Sequence, residues 1–585
     1  MILQALVSYY ETLARQGKIA KPGWCQAKIS YALNIDSQGN LKGVIPLLQD
    51  EQRGKKTLKV PRLLSMPEGE KRSSGVKAQF LWDNATYFLG LAKDGKDERG
   101  KQCFIAAGEK CQQVLSSVTS KNALALKEFF AKWNPDNILS NTLLQPYLDE
   151  FSGAANLTFI VEDEFINNDQ DIAEAWDEYY AHDTSENEGV CLVTGKKGPI
   201  ARLHPNIKGI AGAQSSGAAL VAFNAPAYES YGHTQGMNAN IGEYAAFAYT
   251  TALNYLLTQK DHYQRFSDTT VVFWAESAEE CYAEFFDDFF GDNNVIEDKD
   301  LKTFFENISK GIPFTIKDNT FSPDTKFYIL GISPNASRLS VRFFLANTFG
   351  YFVQNIKKFY QEFEIDKPNY DTKEQIPLWQ ILQETANKNA KDKSATPVLA
   401  GSVLRSILSG NNYPEALYQN IILRAKADQD NTDKKIKKIN RIKASVIKAY
   451  LMRNKKENIM VALDEERNDA GYVLGRMFAV LEHLQETANP GINSTIKDRY
   501  FNSACSTPGI IFPLLLKLSN SHLRKISGNK GMAINFERDI TALFAKIKEI
   551  PKRLDLREQG EFMLGYYHQV QYRYTKKTNY IKSRR

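Results

Sequence analysis

Apolar positions recur at two different periods along this chain, and the change from one to the other divides it. From Gln4 to Arg15 they fall at helical spacing, which predicts a helix. Lys21-Pro22-Gly23-Trp24 then marks a turn, and Ile29 to Ile35 and Leu41 to Ile45 read as strands joined around Gly39-Asn40. Arg53 to Lys77, rich in Gly, Ser, Pro and cations, reads as loop. Helical spacing returns at Thr86 to Leu91 and Ala123 to Trp133, and Glu162 to Glu188 reads as an acidic, exposed helix and loop. Strand-like residues reappear at Cys191-Leu192-Val193, among turns at Gly195, Gly198, Gly209, Gly212 and Gly217. A helix is predicted from Gly242 to Leu257 and a strand from Thr270 to Ala275. A strand pair follows, Lys326 to Ile332 and Arg338 to Phe344, separated by Ser333-Pro334-Asn335. Beyond residue 365 the pattern becomes polar, and from residue 400 to Tyr574 it is almost wholly helical. The expected fold class is therefore α+β, with a mixed α/β N-terminal domain over residues 1–365, a linker over 366–399 and an all-helical C-terminal bundle over 400–585.

Composition adds that most of this chain folds: 43% of its 585 residues are hydrophobic and 11% aromatic, far from the signature of disorder. No apolar run approaches the roughly 20 residues a bilayer span needs, and the first residues lack a signal peptide's basic flank and long apolar region. A cytoplasmic protein with no membrane partner is expected. Cys25, Cys103, Cys111, Cys191, Cys281 and Cys505 form no C-x-x-C pair, which fits a reducing compartment better than a zinc ribbon or a disulfide framework. Net charge is only +6, but residues 401–585 hold 33 Lys and Arg against 18 Asp and Glu, whereas residues 1–400 hold 41 against 50. The C-terminal third is thus the expected place for phosphate contact, with a well-solvated lysine-rich surface as the alternative.

Catalytic tools are scarce. The seven histidines form no H-E-x-x-H or H-x-x-x-H pattern. His182-Asp183 is a dipeptide of the kind metal-dependent phosphohydrolases use, and a nuclease built on it is the alternative reading, but it stands without the further ligands such a site needs. Asp287-Asp288 lies among paired aromatics that suit an amphipathic helix, and neither a phosphate-binding loop nor a G-x-S-x-G elbow is present. No catalytic residue, metal or cofactor is expected; the residues favour binding.

Three segments carry that expectation. In the first, Lys71, Arg72 and Lys77 can neutralise phosphates. Ser73 and Ser74 add hydroxyls, Gly75 allows close backbone approach, and Gln79 or Asn84 can pair with a base edge; a plain surface loop with Asn84 as a helix cap is the alternative. The second, Thr194 to Asn240, sets Lys196, Lys197, Arg202, His204 and Lys208 among Gln214, Ser215, Ser216, Asn224, Tyr228, Tyr231, Gln235, Asn238 and Asn240. Amides and tyrosines among glycines suit unpaired bases, or a structural hydrogen-bond network. The third is a basic run, Lys434, Lys435, Lys437, Lys438, Arg441, Lys443 and Lys448, read as a helix face able to track a displaced strand or simply to be solvated.

Several of these stretches resemble the large subunit of the type I-C CRISPR Cascade complex. Met1 to Glu11 with Gly17-Lys18-Ile19 and Pro22-Gly23-Trp24 is similar to that family's opening; so are Lys71 to Asn84, Thr194-Gly195 with Ile207-Lys208-Gly209, Leu220 to Asn254, Ser333 to Phe343 and Val461 to Val480. The resemblance implies a non-catalytic subunit at the 5′-handle end of a guide RNA. Such a subunit recognises the protospacer-adjacent motif on double-stranded target DNA, promotes unwinding and R-loop stabilisation, and supports recruitment of the helicase-nuclease. Its partners would be the Cascade backbone, handle-binding and small subunits. Motif reading carries over to Lys71, Arg72, Ser73, Ser74, Gly75, Lys77 and Gln79, with Gln214, Ser215 and Gln235. RNA-handle or DNA-backbone contact carries over to Lys196, Lys197, Arg202, Lys208, Arg338 and Arg342. The family also contains a small helical subunit translated from inside the large-subunit gene. Lys456-Glu457 can be encoded by a ribosome-binding AAGGAG ahead of Met460, so a separate product spanning residues 460–585 is expected.

Overall fold

The computed structural model describes residues 1–53, 56–69, 75–91, 97–152, 155–182, 187–266, 268–290, 304, 306–307, 310, 312–316, 319–371, 373–389, 396–431, 433 and 436–582. The backbone falls into two compact units, Met1–Pro205 with Ala222–Leu253, and Asn206–Val221 with Asn254–Arg585.

The first unit opens on the helix Ile2–Arg15, whose Leu6, Tyr9, Tyr10 and Leu13 fall on one face and are buried. The run expected as a single strand breaks at Ser30. Trp24–Ile29 pairs antiparallel with Lys56–Pro67, whereas Tyr31–Ile35 joins a different sheet between Leu41–Pro46 and the parallel strand Asn156–Val161. The hairpin after Ile35 forms as its sequence predicts, closed by Asp36, whose carboxylate accepts from the backbone of Gln38 and Asn40. Gly39 has φ +78°, and a Cβ there would stand 2.7 Å from the Glu128 carbonyl carbon, so both conformation and space require glycine.

Arg53 to Lys77, expected as loop, contains the strand Lys56–Pro67. Its first half pairs with Leu48–Arg53 and its second half with Trp24–Ile29, with Pro61 and Arg62 at the change of partner. Each half borders one neighbour only, which is how a strand tolerates a proline beside its cations. Phe129 and Phe130 of the helix Lys121–Lys132 meet Phe88 and Phe159 ring to ring in the core of this unit.

The second unit holds a four-stranded antiparallel sheet in the order Tyr263–Phe266, Thr269–Ala275, Lys326–Asn335, Arg338–Thr348. Every residue of Thr269–Ala275 is buried, so that strand is central. Helix Glu280–Phe290 sends Phe285 and Phe286 against Phe327 and Phe349. After Thr348 the described residues contain helices and no further strand, so the mixed-then-helical order holds, and the change falls at Thr348/Phe349 inside one compact unit. The stretch 366–399, expected as linker, contributes the helix Leu378–Thr385, with Leu378, Ile381 and Leu382 in the same core as the later helices. Its polar flanks hid a short apolar face.

Within the helical part, Ala470–Ala488 lies along Leu556–Lys582 at close range. Gly475 meets the Phe562 carbonyl and Gly565 the Tyr472 carbonyl. Charge is buried there too. Arg453 Nε bonds Glu362 Oε2 at 2.7 Å, its guanidinium lies over the Tyr413 ring, and the Tyr413 hydroxyl donates to the same carboxylate at 2.8 Å. His568 Nδ1 sits 2.9 Å from the Tyr472 hydroxyl, and burial, with Lys448, Arg467 and Arg476 adding to it, pushes its pKa down to about 3.

An unfolded histidine takes up a proton near pH 6.5. His568 therefore supports the fold fully above that pH, and its contribution is lost as pH falls toward 3. Glu561, raised to about 7 chiefly by burial and next by Glu457, acts in the opposite sense. Thermal melts between pH 7 and pH 5 are expected to show a smaller acid-induced drop in Tm for His568→Gln than for the wild type. An equal drop would remove His568 as the source.

Candidate nucleic-acid interface

Cations matter to a ligand only where they face it, so exposure decides among the three segments. In the first, residues 71–74, hence Lys71, Arg72, Ser73 and Ser74, lie outside the described residues. Gly75 and Lys77 are exposed, and Gly75 takes φ +84°. The chain is pinned just beyond them, because the Lys77 amide donates to the Tyr87 hydroxyl and the Gln79 amide to the buried Asp83 carboxylate at 2.9 Å. Gln79 is turned inward against Gly69, its side-chain oxygen sealed from solvent without a hydrogen bond among the described residues. Asn84 caps the helix Ala85–Phe88 by accepting from the Thr86 amide, so it serves the fold rather than a base.

The second segment is divided between the units. In the first unit, Cys191 to Val193, expected as strand, enters a turn instead, with the Gly195 amide closing onto the Cys191 carbonyl at 2.8 Å. It stands between the short paired strands Glu188–Val190 and Lys197–Pro199. Lys196 and Lys197 are exposed there, and Lys197 meets Glu188 at 3.1 Å, an exposed pair of little energetic weight. Arg202 is exposed and donates to Gln235 Oε1 at 2.8 Å. His204 is internal, with Nδ1 2.7 Å from the Tyr249 hydroxyl and its pKa pushed down by burial to about 4, so it carries no charge to a phosphate at neutral pH.

In the second unit, Asn206–Val221 is stitched to the sheet. Ala219 pairs with Arg338 in a parallel bridge, its amide donating to Ser337 O and its carbonyl accepting from Leu339. Asn254 fixes the start of the segment, accepting from the Lys208 amide at 2.8 Å and donating to Asn206 O. A turn runs from Gln214 to Gly217, whose φ is +90°, and a Cβ on Gly217 would stand 2.6 Å from Ile207 O. Gln214, Ser215 and Lys208 are exposed along the segment, Arg338 is half-buried, and Arg342 meets Asp268 at 3.1 Å. Sequence reading passed over Arg265, an exposed cation whose Nη2 donates to Gly209 O. Only its tertiary bond to that segment marks it, and no local pattern does.

The third segment is a correction. Lys434 and Lys435 lie outside the described residues, and the helix begins only at Arg441. Lys438, Lys443 and Lys448 are 1%, 0% and 1% exposed. Lys438 donates to the carbonyls of Lys426 and Asp428, and Lys443 bonds Asp428 Oδ2 at 2.7 Å. Lys448 donates to Glu362 O, with burial pushing its pKa down to about 8, and Arg441 bridges to Asp371 and to two carbonyls. Lys438, Arg441, Lys443 and Lys448 are spent on carbonyls and carboxylates of neighbouring segments, among them the helix Phe349–Phe363, and cannot track a strand. A lysine run looks the same in sequence whether its ammonium groups end in water or on carbonyls.

Of the alternative nuclease residues, His182 ends the helix Gln170–His182 and Asp183 lies outside the described residues. Asp287 accepts from Gln264 on the helix Glu280–Phe290, whose burial of Phe285 and Phe286 agrees with the amphipathic reading. Among the described residues no group of three His, Cys, Asp or Glu side chains gathers as a metal site, and no helix is long and apolar enough to cross a membrane.

Residues 6–574, a span that takes in both compact units, match the family model described as CRISPR-associated protein (Cas_Csd1). The chain belongs to this family. No curated protein matches it. In this Cas_Csd1 protein, among the described residues of the candidate segments, exposed cations stand with amides or hydroxyls in the 188–202 region with Gln235 and in the Asn206–Val221 segment with Arg265 and Arg342, while Gly75 to Lys77 offers an exposed lysine beside a glycine.

Proposed function

We propose that this Cas_Csd1 protein is the large, non-catalytic subunit of a type I-C Cascade complex, which recognises the protospacer-adjacent motif on double-stranded target DNA. The observation that carries the proposal is the family match over residues 6–574, which accounts for both compact units with a CRISPR-associated protein. Exposed Lys77 beside Gly75 and the exposed Lys208, Gln214 and Ser215 of the second unit support it, because cations position a phosphate backbone and amides or hydroxyls read base edges. Sequence beyond the motif is left to guide-RNA pairing. The protein's partners in this reading are guide RNA, target DNA, the backbone, handle-binding and small subunits, and the helicase-nuclease.

The test is target binding by assembled complexes carrying Lys71→Ala, Lys77→Ala or Gln214→Ala, against DNA with a correct or an incorrect adjacent motif. A base-reading group is expected to change the ratio of affinities by roughly tenfold, and a phosphate-binding lysine to weaken both targets alike. Unchanged discrimination and unchanged affinity in all three variants would place the reader elsewhere.

A further inference from the structure

Tyr231 is 98% exposed. It stands in the tight turn Ser230-Tyr231-Gly232-His233, in which the His233 amide donates to Ser230 O at 3.0 Å. Both central residues have positive φ, +54° at Tyr231 and +75° at Gly232, the pattern of a type I′ turn. Gly, Asn or Asp ordinarily fills its first central place, because a Cβ crowds the backbone in the left-handed region and only a short polar side chain compensates. Tyrosine there works against the local backbone, and its ring makes no contact with the described residues that would repay the fold.

The backbone that presents the ring is nevertheless braced. Asn238 clamps both sides, accepting from the Ser230 amide at 2.9 Å and donating to His233 O at 2.9 Å. Glu229 accepts from the Gln235 amide, and the Gln235 side chain in turn accepts from Arg202. A large flat ring is thus projected into solvent from a braced loop that carries a guanidinium at its base.

We propose that Tyr231 is a stacking platform for an unpaired nucleobase, with Arg202 as the accompanying cation. Every base offers a π-face, so the platform is indifferent to sequence, and with the turn backbone already fixed only the ring's own two torsions remain to be ordered when a base settles on it. The proposal rests on the nucleic-acid reading of the protein and adds one contact to it.

The test uses the full-length protein and a single-stranded oligonucleotide carrying one 2-aminopurine, with stacking read as fluorescence quenching. Tyr231→Asn removes the ring while suiting the turn, so its melting temperature should match or exceed that of the wild type. It is expected to lose the quenching and to bind roughly tenfold more weakly, with an unchanged salt dependence because no charge is removed. Tyr231→Trp should retain both signals. Wild-type quenching and affinity in Tyr231→Asn would overturn the platform while leaving nucleic-acid binding intact. Loss of a protein partner with quenching unchanged would also overturn it, and would assign the ring to a protein contact. Absence of salt-dependent binding by the wild type, alone and in the assembled complex, would overturn the underlying reading.

Discussion

Replacing Gly475 by alanine is expected to destabilise the helical part by about 2 kcal/mol, although alanine is the better helix former. Two terms oppose each other. Alanine for glycine inside a helix gains about 1 kcal/mol of intrinsic propensity. A Cβ on Gly475 would collide with the Phe562 carbonyl and lie 2.9 Å from the Tyr566 amide nitrogen, and both are backbone atoms of the helix Leu556–Lys582. They yield only if the helices part, and such overpacking costs about 3 kcal/mol. Gly401, in the helix Pro397–Ser409, supplies the comparison, since a Cβ there meets nothing within 4 Å. Gly401→Ala is expected to stabilise by about 0.5–1 kcal/mol. Calorimetric melting of both variants checks the pair, and a shift of the same sign in both would refute the account of close helix contact.

Lys443→Met is expected to cost about 3 kcal/mol of stability and to leave the salt dependence of nucleic-acid binding unchanged. The substitution keeps length and removes charge from a residue that is 0% exposed. It leaves the buried Asp428 with Arg424 at 3.5 Å as its remaining ionic partner among the described residues, and strips the carbonyls of Lys437 and Lys438 of the Lys443 donor. Removing one member of a buried pair costs several kcal/mol because the other charge stays desolvated. A phosphate contact would behave differently: its loss lowers the slope of log affinity against log salt by about 0.9. Chemical denaturation and binding titrations at several salt concentrations separate the two. A shallower slope at undiminished stability would restore Lys443 to the surface and undo the correction.

The two halves of the molecule were legible from sequence to different depths. Period-3.6 patterning located the helices Ile2–Arg15 and Glu243–Thr258 closely, because each has one buried face of its own. Alternation found Thr269–Ala275 and the long pair Lys326–Asn335 and Arg338–Thr348, though Ser333-Pro334-Asn335 extends a strand instead of ending it. Lys56–Pro67 was missed because its proline and cations are loop residues by composition, and only the change of pairing partner at Pro61 makes them acceptable in a strand. The candidate interface was less legible still. Exposed Lys208 and buried Lys443 both stand among cations and amides in the sequence, and only the atoms around their ammonium groups tell them apart. Tyr231 was visible as an aromatic among glycines, but not as the occupant of a place glycine or asparagine would fill.

The membership of Asn206–Val221 in the second unit bears on synthesis. The chain leaves the first unit at Pro205, returns at Ala222 and leaves again after Leu253, so neither unit is a single length of polypeptide. During translation the first unit lacks Glu243 to Leu253, its share of the helix Glu243–Thr258, until that stretch has emerged. Asn206–Val221 by then has been made, but Ser337, Arg338 and Leu339, which hold it to the sheet, emerge on the order of 10 s later at about 5–20 residues per second. Ala219, which bridges to them, must therefore wait unpaired on the ribosome. Gly209, Gly212 and Gly217 suit the segment to that delay, since they separate its β-branched residues and disfavour strand pairing while its partners are still being made.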